Sequence, residues 1–273
     1  MELFWSILFT LFGLVIGSFL NVCIYRIPVG KSIVSPPSAC PKCGHTLSGW
    51  DMIPVFSWFL LGGKCRYCKA TVSPRYALVE LLTSLVFLWV YSRYGLTVDT
   101  IALLMLMTIL IIVFFIDLDH MIIPDRLVLA GLIGGFLLYV YNLIAPGAGW
   151  PAYSLQGEPG TVKWFEPLIG AISGSAILFG VALIGLLIYK NDGAMGMGDV
   201  KIFLPIGLIL GWRLALMTLF GAVLIGGVFG IILLVFKIKD RKAAIPFGPF
   251  IIISTFIMSM YGYRILDWYW GGM

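Results

Sequence analysis

Two short cysteine pairs, Cys40-Pro-Lys-Cys43 and Cys65-Arg-Tyr-Cys68, stand twenty-one residues apart in a chain of 273 residues. Each C-x-x-C brings two thiols across one tight turn, and two such pairs supply the four soft ligands of a tetrahedral zinc site. With all four positions taken by Cys40, Cys43, Cys65 and Cys68, the predicted zinc, one per chain, is structural and not catalytic. A second chemistry lies in carboxylates. Gly196-Met197-Gly198-Asp199, with Lys201 close behind, opens an apolar run to Leu210, and Asp117 closes another that ends Asp117-Leu118-Asp119-His120-Met121-Ile122-Ile123-Pro124-Asp125. Two carboxylates held close cannot both ionise cheaply, so one keeps a proton while the other is a base. Such a pair can activate water against a peptide carbonyl and protonate the leaving amine, which is aspartic protease chemistry. Gly196 and Gly198 would let a substrate backbone approach Asp199 closely. The competing reading is an ion-pair network of Asp117 and Asp199 with Lys201 or Arg126. Other hydrolytic chemistries lack parts: there is no H-E-x-x-H, the two histidines, His45 and His120, read as loop residues, and no serine carries a motif around it.

The elements that must position these groups follow from composition. The chain is 60% hydrophobic and 11% charged, with mean hydropathy +1.03, whereas a soluble domain carries about 25% charged residues. This is an integral membrane protein whose partner is the lipid bilayer. Residues 3–22 lack a basic leader region and an A-x-A-type site, and read as the first span. Apolar runs fall near 3–22, 76–94, 100–118, 127–145, 167–189, 201–212, 214–236 and 246–266, most of them close to the ~20 residues needed to cross a bilayer. The sixth is short and contains Pro205, so a re-entrant segment would reduce eight spans to seven. The expected fold is an all-α polytopic membrane protein of about eight helices with a small zinc-binding loop domain.

Basic residues orient it. Arg26, Lys31, Lys42, Lys64, Arg66, Lys69, Arg75, Arg126, Lys190, Lys201, Lys237, Lys239, Arg241 and Lys242 fall on one side, and only Arg93, Lys163, Arg213 and Arg264 on the other. Fourteen against four places the cysteine loop in the cytoplasm, and both termini and the loop 146–166 outside. Asp117 and Asp199, from distant parts of the chain, then lie in one thin layer at the cytoplasmic ends of their helices, while Asp119 and Asp125 read as solvated helix ends. The division is 1–22 as first span, 23–75 as zinc-binding region and 76–273 as the transmembrane domain that carries both aspartates. A reducing compartment disfavours disulfides, and a mostly polar loop of this size needs its metal to fold. Cys23 reads as a small apolar residue at the end of the first span, and Gly170, Gly174, Gly226 and Gly230 fit close helix packing. No basic stripe or fold motif points to nucleic acid.

In this order the chain also carries Gly17-Ser18-Phe19-Leu20-Asn21-Val22 with Arg26 and Pro28, the first cysteine pair with His45, Ile53-Pro54 with Ser57-Trp58, and Gly63-Lys64 before the second pair. Ser73-x-Arg75-Tyr76, Val79-Glu80, Asp117 seven residues before Pro124, Gly196-x-Gly198-Asp199-x-Lys201, Gly211-Trp212 and Ile245-Pro246-Phe247-Gly248-Pro249 follow. Over nearly its whole length the sequence resembles the bacterial type IV prepilin leader peptidases, bifunctional peptidase/N-methyltransferases of the GxGD membrane aspartic protease group. The resemblance implies that 76–273 is a peptidase domain and that Asp117 and Asp199 are its catalytic pair, with Gly196, Gly198 and Lys201 as active-site support. It implies residence in the bacterial inner membrane and cytoplasmic-side cleavage of prepilins or pseudopilins after a glycine that ends a short basic leader. The new N-terminal residue would then be methylated from S-adenosylmethionine. The chain has no Rossmann-type glycine fingerprint to place that donor; Asp51 and Glu80 are candidate polar partners, and Glu80 alternatively pairs with Arg75. A reading from another class is an ion or proton transporter relaying charge through its aspartates. It would place acids near the bilayer centre, not at helix ends.

Overall fold

The computed structural model describes residues 1–144, 164–189, 196–237 and 245–270. The predicted external loop 146–166, apart from its last residues, and the basic residues Lys163, Lys190, Lys239, Arg241 and Lys242 lie outside them. Helices dominate: α1 (Glu2–Arg26), a 3-10 turn (Gly49–Met52), α2 (Phe56–Leu60), α3 (Arg75–Tyr94), α4 (Val98–His120), α5 (Asp125–Ile144), α6 (Glu166–Tyr189), α7 (Met197–Val235) and α8 (Gly248–Trp270). Among the described residues the only β pairings are two isolated bridges, Ala39 with Thr46 and Lys64 with Thr71. The chain divides into two compact units, Met1–Gly95 and Leu96–Met273.

In the first unit α1 and α3 lie antiparallel with their backbones close. A β-carbon on Gly13 would come within 2.7 Å of Ser84 Cα, and one on Gly17 within 2.6 Å of Glu80 Cα. Small residues are what bring membrane helices this near, because lipid offers apolar side chains no gain from each other. Polar bonds lock the pair: Ser84 Oγ donates to Thr10 O at 2.9 Å and Asn21 Nδ2 to Tyr76 O at 3.0 Å. Cys23 is buried in α1.

The second unit surrounds α4, whose side chains are buried over most of its length, from Ala102 to Asp117. α7 has 39 residues, about 58 Å of helix at 1.5 Å per residue and roughly twice the ~30 Å hydrocarbon thickness. It cannot be one span, and it breaks at Gly211, whose φ of 79 is open to glycine but not to a residue with a β-carbon. The contacts give the direction of each arm. Gly174 lies on the Phe203 ring and Gly170 on Gly207, so the first arm runs antiparallel to α6. Ser254 Oγ donates to Thr218 O at 2.8 Å, while the Phe229 and Phe250 rings stand 5.4 Å apart, so the second arm runs antiparallel to α8. The start of α8 meets Asp117, whose charge is felt at Asp199. The chain therefore turns back at Gly211, and the predicted sixth and seventh runs are separate segments. Among the described residues six helices are long and apolar enough to cross a membrane, α7 counted once; its second arm and the apolar α5 give eight apolar segments in all. Gly226 packs on Phe250 as expected, whereas a β-carbon on Gly230 would meet nothing within 4 Å, so Gly230 is not a packing glycine.

Candidate active site and metal centre

α4 carries Asp117 in its last turn. The helix stops at Met121, a residue with φ 53 whose N–H bonds Asp117 O at 2.9 Å. This C-terminal turn ends the helix before Pro124 could, and the chain crosses through Ile122-Ile123-Pro124 to α5. α7 starts from Gly196, with Asp199 in its first turn. The two elements meet through a glycine: a β-carbon on Gly198 would come within 2.8 Å of Ile123 Cβ, so only the bare backbone fits there. Gly196 lies beside the Asp199 carboxylate, where a β-carbon would stand 3.1 Å from Oδ2. A third element closes on the other carboxylate, since a β-carbon on Gly248 would sit 2.5 Å from Asp117 Oδ2 and 3.0 Å from its Cγ.

The result is a carboxylate pair at one end of the second unit. Asp117 and Asp199 are near enough for their charges to repel each other. Asp117 is 5% exposed; the Gly248 N–H approaches its carboxylate, and its Oδ2 is buried without a well-aligned hydrogen bond among the described residues. Asp199 is half-buried. Asp119 is exposed, and so is Asp125, as expected of helix ends. Lys201 does not join the pair: its Nζ bonds Asp125 Oδ1 at 2.8 Å, with both side chains largely open to solvent. Among the described residues neither Asp117 nor Asp199 forms an ion pair with a basic side chain. That disfavours the charge-network reading. An exposed ion pair contributes about 0–1 kcal/mol, so Lys201→Met is expected to change peptide cleavage by a few-fold at most. Adding a methyl group is worse. Gly198→Ala and Gly248→Ala each displace a carboxylate or its buttress, and cleavage by either variant is expected to fall about 10²-fold at unchanged expression.

In the first unit the cysteine loop forms two turns of one design. Cys40 N bonds His45 O at 2.9 Å and Gly44 N bonds Cys40 O at 2.9 Å; Cys65 N bonds Ala70 O at 2.8 Å and Lys69 N bonds Cys65 O at 3.0 Å. Gly44 and Lys69 hold the matching left-handed position, φ 72 and 59. The four sulfurs converge to within 4.8 Å of one another, with Cys40 and Cys68 Sγ 3.9 Å apart. Tetrahedral zinc with Zn–S bonds of 2.3 Å requires about 3.8 Å between sulfurs. No disulfide forms, and donor set and spacing both fit the ion. The N–H groups of Cys43 and Lys42 hold the Cys40 thiol down at about 6, favouring the thiolate a metal needs. At Cys68 the Ala70 N–H pulls the same way, but burial and the neighbouring thiols win and push it up to about 11.

Asp51 serves this centre and is not a free polar ligand. Its side chain, 3% exposed, accepts from Arg66 Nε at 2.6 Å and from Tyr67 Oη at 3.0 Å. It also closes a capping box with Ser48. Arg66 holds the Asp51 carboxyl well below the usual carboxylate range. Since Arg66 and Tyr67 are the two residues inside the second C-x-x-C, Asp51 orients that turn. Asp51→Asn is expected to speed zinc loss to a chelator about tenfold. Glu80 is likewise occupied, accepting from Val55 N at 2.7 Å and from the Ser18 hydroxyl. Sequence reasoning missed the contact of Gly248 with Asp117 and that of Ile123 with Gly198. Gly248 had a signal, its place in Ile245-Pro246-Phe247-Gly248-Pro249; Ile123 had none.

Comparison with known proteins matches both units. The Bacterial Peptidase A24 N-terminal domain covers residues 11–94, and the Type IV leader peptidase family covers residues 104–231. A prepilin leader peptidase/N-methyltransferase of Aeromonas salmonicida is 34% identical over 98% of this chain and 94% of its own. The protein of that name from Pseudomonas aeruginosa is 33% identical over 95% and 91%, respectively. The one from Bacillus subtilis is 31% identical over 97% of both chains. No solved structure matches.

Proposed function

The chain belongs to the prepilin leader peptidase/N-methyltransferase family, and on that premise we propose that it removes the leader of type IV prepilins or pseudopilins with Asp117 and Asp199 as its catalytic pair. The observation that carries this is the approach of two carboxylates, eighty-two residues apart in sequence, at one end of a helical unit, one of them with a buried oxygen that no well-aligned hydrogen bond satisfies. A buried carboxylate oxygen without a partner is costly, and a shared proton or a bound water is the partner it calls for. The pair holds one proton between two mutually repelling acids. The ionised member takes a proton from water, the water oxygen attacks the scissile carbonyl, and the protonated member gives its proton to the leaving amine. Gly196 leaves room beside the Asp199 carboxylate for an extended substrate backbone, while Gly198 is taken up by its contact with Ile123.

The pair faces the cytoplasm by the basic-residue bias, so the leader remains on that side while the substrate's apolar segment stays in the inner membrane. The zinc loop, 23–75, is structural and cytoplasmic, and zinc there holds the two cysteine turns together. Family membership supports methylation of the new N-terminus from S-adenosylmethionine. The described residues hold no Rossmann-type sheet to cradle that donor. A transporter reading finds no support: Asp117 stands three residues from the end of α4 and Asp199 two residues from the start of α7. The deciding experiment reconstitutes the chain with a prepilin and records the mass of the product's N-terminus. Cleavage after the leader glycine and a 14 Da gain with S-adenosylmethionine are expected; an uncut substrate overturns the reading.

A further inference from the structure

Four large apolar side chains beside and within α2 are turned outward. α2 places Phe56, Phe59 and Leu60 on one stripe at helical spacing, exposed by 61, 67 and 83%, with Trp50 just before it at 76%. Trp58 points the other way, its Nε1 donating to Val72 O at 3.1 Å. A soluble loop that hides one aromatic and exposes four apolar neighbours has a surface with an apolar counterpart.

What that counterpart is follows from depth. α1 ends at Arg26 and α3 begins at Arg75, so these ends mark one face of the membrane. Glu80 lies five residues into α3, about 7.5 Å along its axis, and is bonded by Ser18, eight residues inside the end of α1. The headgroup layer is about 5–7 Å thick on each side. Measured along α3 Glu80 lies about 7.5 Å deep and along α1 its partner Ser18 about 12 Å, at or just below the level where headgroups give way to hydrocarbon, and its carboxylate takes the N–H of Val55 at 2.7 Å. Val55 is a β-branched residue at φ 63, a conformation that persists only where surrounding bonds impose it, and α2 begins at the next residue. The chain is drawn down to the acyl boundary at the point where its exposed stripe starts.

The charge agrees. Residues 27–74 hold Lys31, Lys42, Lys64, Arg66 and Lys69 against one acid, Asp51, which Arg66 already engages. Lys64 follows α2 after the Gly62-Gly63 turn, placed to reach outward to a phosphate while the stripe faces inward. A basic surface also disfavours a basic peptide as the occupant. We infer that α2 is a membrane-interface anchor: Phe56, Phe59, Leu60 and Trp50 insert into the acyl boundary of the leaflet, Lys64 beside them binds an anionic headgroup, and the Glu80–Val55 bond sets the depth.

The test uses the full chain, zinc-loaded, in phosphatidylethanolamine/phosphatidylglycerol vesicles, with a benzophenone amino acid replacing Phe59 or Leu60. Photolysis is expected to give phospholipid-mass adducts at both positions. Yields should be within about twofold of those at Leu85, an exposed residue of the α3 span, and about tenfold above those at Lys42 in the first cysteine turn. As a second measurement, Phe56→Ser/Phe59→Ser/Leu60→Ser should keep its zinc while trypsin cuts after Lys64 about tenfold faster in vesicles. Adducts to a second copy, to a co-reconstituted prepilin or to residues 96–273 would name another occupant and overturn the inference. So would lipid adducts no more frequent than at Lys42, or an unchanged trypsin rate in the triple variant.

Discussion

Asp117→Asn and Asp199→Asn each abolish leader removal, with a loss of about 10³-fold or more, while the chain still inserts and keeps its zinc. Asparagine matches the size of aspartate, so the Gly198–Ile123 and Gly248–Asp117 contacts survive the change. What is lost is the ability to carry a proton. A dyad needs one member to accept and the other to donate, so either substitution stops the cycle, and the double variant is expected to be no worse than the singles. A residue acting only in packing would not give this pattern. The measurement is the rate of cleavage of a co-reconstituted prepilin, with membrane yield as the control; full cleavage by either variant ends the aspartyl mechanism.

Cys40→Ser combined with Cys68→Ser takes the metal content from about one zinc per chain to below a tenth, and the loop unfolds. These two sulfurs stand 3.9 Å apart and belong to different C-x-x-C turns, so losing both breaks the link between the halves of the loop. Structural zinc in small peptides contributes about 10–16 kcal/mol of apparent binding free energy, and the two turns, each closed by a single bridge, have besides it only side-chain contacts such as Asp51 with Arg66 and Tyr67 to hold the loop. Metal analysis and proteolysis at Lys64 and Lys69 report the two consequences separately. The spans α1 and α3 are expected to stay packed, since Gly13, Gly17, Thr10 and Ser84 hold them without the loop. Unchanged zinc in the double variant would rule out the four-cysteine centre.

Much of this was legible from residue order. The C-x-x-C pairs announce their chemistry because thiol ligands must be spaced by one turn, and the sulfurs do converge. Asp117 and Asp199 were legible as neighbours because a membrane reduces position to depth: two helix ends on one side of a bilayer share a thin layer, whatever their separation in sequence. The eight apolar segments follow from the same constraint, with the length of a span set by the hydrocarbon.

Local pattern could not reach what depends on side chains meeting across the fold. Lys201 stood beside Asp199 in sequence, yet its four-carbon stem carries the charge to Asp125. Asp51 and Glu80 read as polar residues free for a cofactor, and tertiary contacts commit one to the Arg66–Tyr67 turn and the other to Val55. Gly230 shares its spacing with Gly226, but only the latter has a neighbour. Residue types and their periods determined the membrane, the four-cysteine cluster and the acids, because solvent transfer and ligand chemistry act on each residue alone. Only the tertiary structure decided which charges pair, which glycines are pressed, and where the chain turns at Gly211, because those depend on distances that no sequence period encodes.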